Sequence, residues 1–279
     1  MRFIGHSTIV ADFTGLADRG RLGHGYILFG PSMTGKATFA RAFARYLEAG
    51  TLEVPDDATV LQDAKFIVPS GDSIGIDAVR EIRNFLWQKP AASPRRTLVI
   101  DDADLMTTEA QNALLKVTEE PPASSLLIIV ASDIDAILPT IASRLPRVHF
   151  GPVAEREIEA WLGGDEKTPK GKAQAAAKRA MGKPGLAYRL LHDKALEKNL
   201  DLAGRYLSST AANRKDLVKK IIEPDDFSLR AFLDAVIMNL AWEKPSKART
   251  ALWHRALALY GSATNFGLNP RVQLEALLA

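Results

Sequence analysis

The stretch "GPSMTGKATFA", Gly30 to Ala40, decides how the chain begins to fold. An apolar run, "GYILF", precedes it, and Phe39, Phe43 and Leu47 follow at helical spacing. A strand, a glycine loop and an amphipathic helix in that order meet the specification G-x-x-x-x-G-K. There, backbone amides and a helix N-terminus cradle phosphate while the lysine reaches the terminal groups. Gly30, Gly35 and Lys36 fill the fixed positions, so the bland alternative of a glycine turn with a surface lysine is the weaker reading. The next position breaks the pattern. Its hydroxyl normally ligates Mg²⁺, and Ala37 has none. Thr38 does not repair this, because the next helical residue points about 100° away around the axis. Magnesium is expected to be held poorly.

Working outward, four more short apolar runs alternate with helical patterns up to residue 150: "AKFIVP", "TLVIDD", "LLIIVAS" and "RVHF". Such alternation argues a parallel sheet with helices on both faces. In "GIDAVREIRNFLWQ", Val79, Ile82 and Leu86 share one face. In "TTEAQNALLKVTEE", Ala110, Leu114 and Val117 share another, Thr108 and Gln111 fit a capping box, and Pro121 with Pro122 stop the helix. After Phe150 the strands vanish. "GPV" reads as a hinge into helical sequence, interrupted by "GGDEKTPKGK", "EKPSKA" and "GSATNFGLNP".

The whole chain of 279 residues has room for a sizeable core. Hydrophobic residues make up 47% and no run approaches the ~20 apolar residues that span a bilayer, which argues against a membrane protein. No secretory signal is visible at the N-terminus, and the cytoplasm is the expected location. The chain has no cysteine, which excludes disulfides and a cysteine-ligated zinc site, and its five histidines are scattered. A net charge of +3 is compatible with a phosphate-bearing partner and decides nothing alone.

The second chemical element is acidic. In "TLVIDDADLM" an apolar strand ends in Asp101 and Asp102. The first carboxylate is placed to hold a metal through water and the second to orient an attacking water. The alternative is that adjacent aspartates merely end a strand and cap the next segment.

Four blocks in order, "GIDAVREIRNFL", "LVIDDADLMTTEAQNALLKVTEEPP", "LPTIASRLPRVHF" and "GLNPRVQLEALL", resemble the AAA+ subunits of bacterial sliding-clamp loaders. The resemblance covers nearly the whole chain, weakest between about 193 and 255, and its middle block is very specific. It implies an α/β class: an AAA+ P-loop parallel-sheet core over 1–150, a small helical lid over 151–192 and an all-helical collar over 193–279 through which subunits assemble. The implied partners are the motor (gamma/tau) and delta subunits, the sliding clamp and, through the complex, primed DNA.

Motor subunits of that family carry serine or threonine after the P-loop lysine, glutamate after the strand aspartate and a phosphate-sensing arginine in the lid. Here those positions hold Ala37, Asp102 and, in "GKPGLAYRLL", Gly185. Three losses point the same way, to the stator or delta-prime type. Arg189, one helical turn on, is the alternative sensor. Ser132 in "VASD" aligns with the polar sensor after the next strand, or is a buried serine satisfied by backbone. "SRL", Ser143 to Leu145, resembles the S-R-C motif whose arginine reaches into a neighbouring subunit's ATP site, which implies that role for Arg144, with leucine for cysteine altering the packing beneath and leaving the charge intact. The rival for Arg144 is a surface arginine paired with a carboxylate.

The candidate nucleotide-binding set is thus Gly30, Gly35, Lys36, Thr38 and Ser132. The degenerate catalytic set is Asp101 and Asp102, with Arg144 acting in trans. ATP or ADP binding is expected to be weak, and the chain's own hydrolysis weak or absent. Relatives often carry a four-cysteine zinc module after the first helix, where this chain has "AGTLEVPDDAT", and no zinc is expected. Arg95, Arg96, Lys219 and Lys220 read as solvated charges, and Trp242, Trp253 and Leu257 as packing or interface residues. Two readings stay open beside the stator. One is an ATP-hydrolysing motor subunit or other AAA+ ATPase, and the other is a passive scaffold.

Overall fold

The computed structural model describes residues 3–52, 60–164, 168–265 and 269–278. Contacts divide the chain into two compact units, Met1–Ala187 and Tyr188–Ala279.

The first unit opens with helix α1 (Ser7–Asp18), strand β1 (Gly25–Phe29) and helix α2 (Lys36–Ala49). There follow β2 (Ala64–Ile67), α3 (Ile76–Leu86), β3 (Arg96–Ile100), α4 (Thr108–Glu119), β4 (Ser125–Ala131), the short α5 (Pro139–Ala142) and β5 (Arg147–His149). The five strands form one sheet in the order β2-β3-β4-β1-β5, and every neighbouring pair is parallel. All five expected strands are present. Their residues alternate between two cores, because successive side chains of a strand point to opposite faces. Ile27, Leu98 and Leu127 pack with Val79, Ile82 and Leu86 of α3 and Leu114 of α4. Leu28, Val99 and Ile128 pack on the other face with Phe13 of α1 and Phe39 and Phe43 of α2. β4 is buried along its full length, which is why it reads as an unbroken apolar run rather than an alternating one. Truncating a side chain such as Ile128 to alanine in such a core costs roughly 2–5 kcal/mol.

Three local expectations are corrected. The N-cap of α4 is Thr107, whose hydroxyl accepts from the Ala110 amide, so the cap sits one residue earlier than the Thr108–Gln111 box. Gln111 is committed instead to tertiary contacts with the segment ahead of α5. Arg95 and Arg96 are not solvated charges. Arg95 donates to the carbonyls of Leu22, Gly23 and Ser125. Arg96 donates to the carbonyls of Gln62 and Lys89 and pairs with Asp63 at 3.2 Å. Asp63 is fully buried and accepts from the amides of Ala91, Ala92 and Ser93. Burial alone raises its carboxyl, but those amides and the Arg96 guanidinium outweigh it and hold the group below the usual carboxylate range. Neither arginine was recognisable from sequence because their acceptors are main-chain carbonyls, which carry no sequence signature.

In "GPV" after β5, Val153 is buried and its amide donates to the Gly182 carbonyl. Helices α6 (Glu155–Gly163) and α7 (Lys170–Arg179) follow, then α8 (Pro184–His192), which runs across the division between the units. The interruption expected between α6 and α7 includes residues 165–167, which lie outside the described residues.

The second unit continues with α9 (Lys194–Leu207), α10 (Ala211–Ile222), α11 (Leu229–Trp242), α12 (Lys247–Asn265) and α13 (Pro270–Leu277). Its core gathers Tyr206, Val218, Phe232, Leu233, Val236 and Leu274, with Trp253 packed against it. The Tyr206 hydroxyl donates to the Leu274 carbonyl at 2.6 Å, which fixes α13 to α9. Asp193, Ser228 and Asn269 cap α9, α11 and α13 with side-chain acceptors. The break expected from Gly261 comes later, since α12 runs through to Asn265. Among the described residues, no helix is long and apolar enough to cross a membrane.

Candidate functional site

Because all strands are parallel, their carboxyl ends share one edge, the usual place for a ligand in such a sheet. Gly30 follows β1, Asp101 and Asp102 follow β3, and Ser132 follows β4, so the sheet brings these candidates to one side. Gly30 takes φ 130°, and a Cβ there would lie 2.4 Å from the Phe150 carbonyl oxygen. Only glycine lets the loop leave the strand this closely against β5.

The loop is tied to itself and to its surroundings. Lys36 is buried, and its Nζ donates to the carbonyls of Gly30 at 2.6 Å and Pro31 at 2.7 Å. The Thr34 hydroxyl also donates to Pro31, and the ring Nε2 of His6 donates to the Thr34 carbonyl at 3.1 Å. Desolvation lowers the Lys36 ammonium from its ordinary range, opposed by the charges of Asp104, Asp101 and Asp102. The Gly185 amide, in the first turn of α8, donates to the Met33 carbonyl at 3.1 Å. A Cβ on Gly185 would sit 3.1 Å from the Met33 Cβ. Gly185 is therefore a place where the backbone of α8 rests directly on the loop. Arg189 lies in the second unit and makes an ion pair with Asp193 at 2.9 Å.

On the acidic side, Asp101 Oδ1 accepts from the Asp102 amide at 3.0 Å, and Asp102 adopts a left-handed φ of 47°. Burial first and the Asp102 charge second raise the Asp101 carboxyl above the ordinary aspartate range, with Arg41 and Lys36 opposing. Ser132 is exposed, which overturns its reading as a buried serine. Its amide and that of Asp133 donate to the two oxygens of Asp104, at 2.7 and 2.9 Å. Asp104 thus fixes the turn after β4 and contributes to the field on Lys36. Sequence reasoning passed over it; its position three residues after Asp101 in "DDAD" was the available signal. Ala37 opens α2 beside Lys36 with no side-chain oxygen, and Thr38 is half-buried one residue further on. The loop's backbone and lysine fit a phosphate group, but the residue set lacks the hydroxyl that would hold magnesium against it.

Arg144 is elsewhere. It precedes β5, so it stands at the amino edge of the sheet, opposite the edge that carries Gly30. The segment leading to it is held by Gln111, a buried α4 residue. The Gln111 amide donates to the Ala136 carbonyl at 2.9 Å and its oxygen accepts from the Leu138 amide at 2.7 Å. Leu145 is buried beneath, in the core on the α3–α4 face of the sheet. The guanidinium remains exposed; one terminal nitrogen donates to the Thr140 carbonyl and the other to Glu119 at 2.9 Å.

Residues 5–154 match the family model described as DNA polymerase III, delta subunit. The chain belongs to this family. Among curated relatives, DNA polymerase III subunit gamma/tau of Mycobacterium tuberculosis is 29% identical over 171 residues, 57% of this chain and 30% of that protein. DNA polymerase III subunit delta' of Escherichia coli is 31% identical over 119 residues, 43% of this chain and 36% of that protein. Replication factor C subunit 3 of Schizosaccharomyces pombe is 33% identical over 158 residues, 56% of this chain and 43% of that protein. The match spans less than half the length of each. Among solved structures, a DNA polymerase III gamma subunit-related protein of Thermotoga maritima superposes with a TM-score of 0.63 at 22% identity, covering 95% of this chain and 97% of that one. RuvB of the same organism gives 0.50 at 16%, covering 96% and 91%. These two establish the fold alone: a parallel α/β core followed by helices.

Proposed function

We propose that this family member serves as a stator-type subunit of a bacterial sliding-clamp loader. It assembles with motor (gamma/tau-like) and delta subunits and helps place the clamp on primed DNA. Within it, residues 1–150 act as the core, 151–192 as a lid and 193–279 as the collar for assembly. The observation that carries this reading is the placement of Arg144. An exposed guanidinium at the amino edge of the sheet is remote from its own phosphate loop, so any terminal phosphate it meets belongs to another chain. There its fork of donors and permanent charge would stabilise the charge that develops during phosphoryl transfer.

The chain's own loop is assigned weak binding of ATP or ADP at most and no productive hydrolysis. Ala37 gives magnesium no hydroxyl, Asp102 is one methylene short of the usual glutamate, and Gly185 offers no arginine. Whatever nucleotide binds would supply a phosphate for Lys36 and the loop amides of residues 30–36 to hold. The test is the clamp- and DNA-stimulated ATPase of the reconstituted loader with wild-type or Arg144→Ala chains at matched stoichiometry. Loss of hydrolysis with assembly intact supports the reading. Equal rates make Arg144 a surface residue and leave a scaffold. Robust turnover by the isolated chain, lost on Lys36→Ala, would instead favour a motor subunit.

A further inference from the structure

The proposed function accounts for Arg144 but not for the side chain that holds it. Glu119 is the last residue of α4, and its Oε1 accepts from a terminal guanidinium nitrogen of Arg144 at 2.9 Å, twenty-five residues away in sequence. Both side chains are substantially exposed, 38% for Arg144 and 50% for Glu119, so burial does not force the pairing. The other terminal nitrogen donates to the Thr140 carbonyl. Two acceptors on two elements therefore fix the plane of the guanidinium, while Nε and the outward N–H groups have no acceptor among the described residues. The same helix carries Gln111, which holds the connection from Ala136 to Leu138 ahead of α5. α4 thus anchors the backbone that leads to Arg144 near its start and the tip of the Arg144 side chain at its end.

We infer that Glu119 is a positioning residue for Arg144: it holds the guanidinium in the orientation presented to the neighbouring subunit's terminal phosphate. This rests on the trans-acting role proposed for Arg144. A long, free arginine pays rotamer entropy each time it engages a phosphate, and prior fixation of its plane removes part of that cost at the transition state. The carboxylate charge itself opposes an incoming phosphate. The benefit of Glu119 therefore lies in its hydrogen-bond acceptor, and a neutral acceptor of the same length should preserve it.

The experiment is the clamp- and primed-DNA-stimulated ATPase of the whole reconstituted loader carrying Glu119→Ala, Glu119→Gln, Arg144→Ala or the Arg144→Ala/Glu119→Ala double variant. Assembly of each is checked by gel filtration. Glu119→Ala is expected to lower kcat by roughly three- to fivefold, the scale of one exposed charge-assisted contact, with KM for ATP nearly unchanged. Glu119→Gln is expected to recover most of the rate. Adding Glu119→Ala to Arg144→Ala is expected to change nothing further, since the carboxylate acts only through the arginine. If Arg144→Ala lowers the rate while Glu119→Ala leaves it unchanged, raises it, or lowers it additively in the double variant, the positioning role fails and the trans role stands. If Arg144→Ala has no effect, both fail together.

Discussion

The two edges of one sheet differ in what their charged groups face. At the carboxyl edge, Lys36 directs its ammonium onto its own loop carbonyls, and the first turn of α8 bonds the same loop through Gly185. At the amino edge, Arg144 stands in the open, anchored by Thr140 and Glu119. A site meant to work in cis needs room and metal ligands at the first edge. A residue meant to work in trans needs exposure and orientation at the second. The contrast teaches that one sheet positions both edges, while the groups that meet each side chain decide whether its charge turns onto its own chain or stays open to solvent.

The comparison breaks most visibly at Arg144. Arg144→Ala should lower hydrolysis at the adjacent motor site by roughly 10³-fold, the scale of a removed arginine finger, and Arg144→Lys should recover only part because a point charge lacks the guanidinium fork. Stimulated single-turnover rates at matched assembly read this directly; a lysine variant with full activity would reduce the role to simple charge.

At the other edge, Gly185→Arg asks whether a sensing arginine can be put back. The side chain would have to enter where Met33 lies 3.1 Å from a Cβ. We expect a loss of roughly 1–3 kcal/mol of stability in urea titration, as for other overpacked contacts, and no gain of ATPase. An active Gly185→Arg chain would show that the edge is merely missing one group.

Asp101 sharpens the same point through pH. Its carboxyl is raised chiefly by burial, so ionising it opposes folding. That penalty is absent below the ordinary aspartate range, grows as pH rises towards the raised folded value, and is complete above it. Asp101→Asn should therefore raise the melting temperature at neutral pH by about 1–3 °C and give no gain near pH 3. A gain independent of pH would assign the effect to packing rather than to charge.

The smallest expected effect is at Lys36. Lys36→Met in the assembled loader should change stimulated ATPase by less than about twofold, because hydrolysis is assigned to other chains. A loss as deep as that of Arg144→Ala would make the two edges functionally equivalent.

The five strands were legible because a sheet covered on both faces demands short β-rich apolar runs. The phosphate loop was legible because its glycines are required by backbone geometry, as at Gly30. Family membership followed from "LVIDDADLMTTEAQNALLKVTEEPP" and is supported independently by the family match over residues 5–154. The residues that escaped sequence reading share one property: their partners are distant backbone groups or side chains on other elements. Asp104 holds the amides of Ser132 and Asp133, Gln111 left its expected cap to hold the segment before α5, and Arg95 and Arg96 bind main-chain carbonyls.

What the sequence determined alone is therefore the inventory: a parallel α/β core, a phosphate loop without its hydroxyl, and an arginine in an S-R-L segment. Only the tertiary structure decided where those parts face. Strand order and parallel direction put Gly30 and Arg144 on opposite edges, the approach of α8 made Gly185 a backbone contact, and the end of α4 brought Glu119 to the arginine. The physical reason is that periodicity and loop geometry are properties of neighbours along the chain, whereas the direction of a charged side chain is set by groups that meet it only after the sheet has formed.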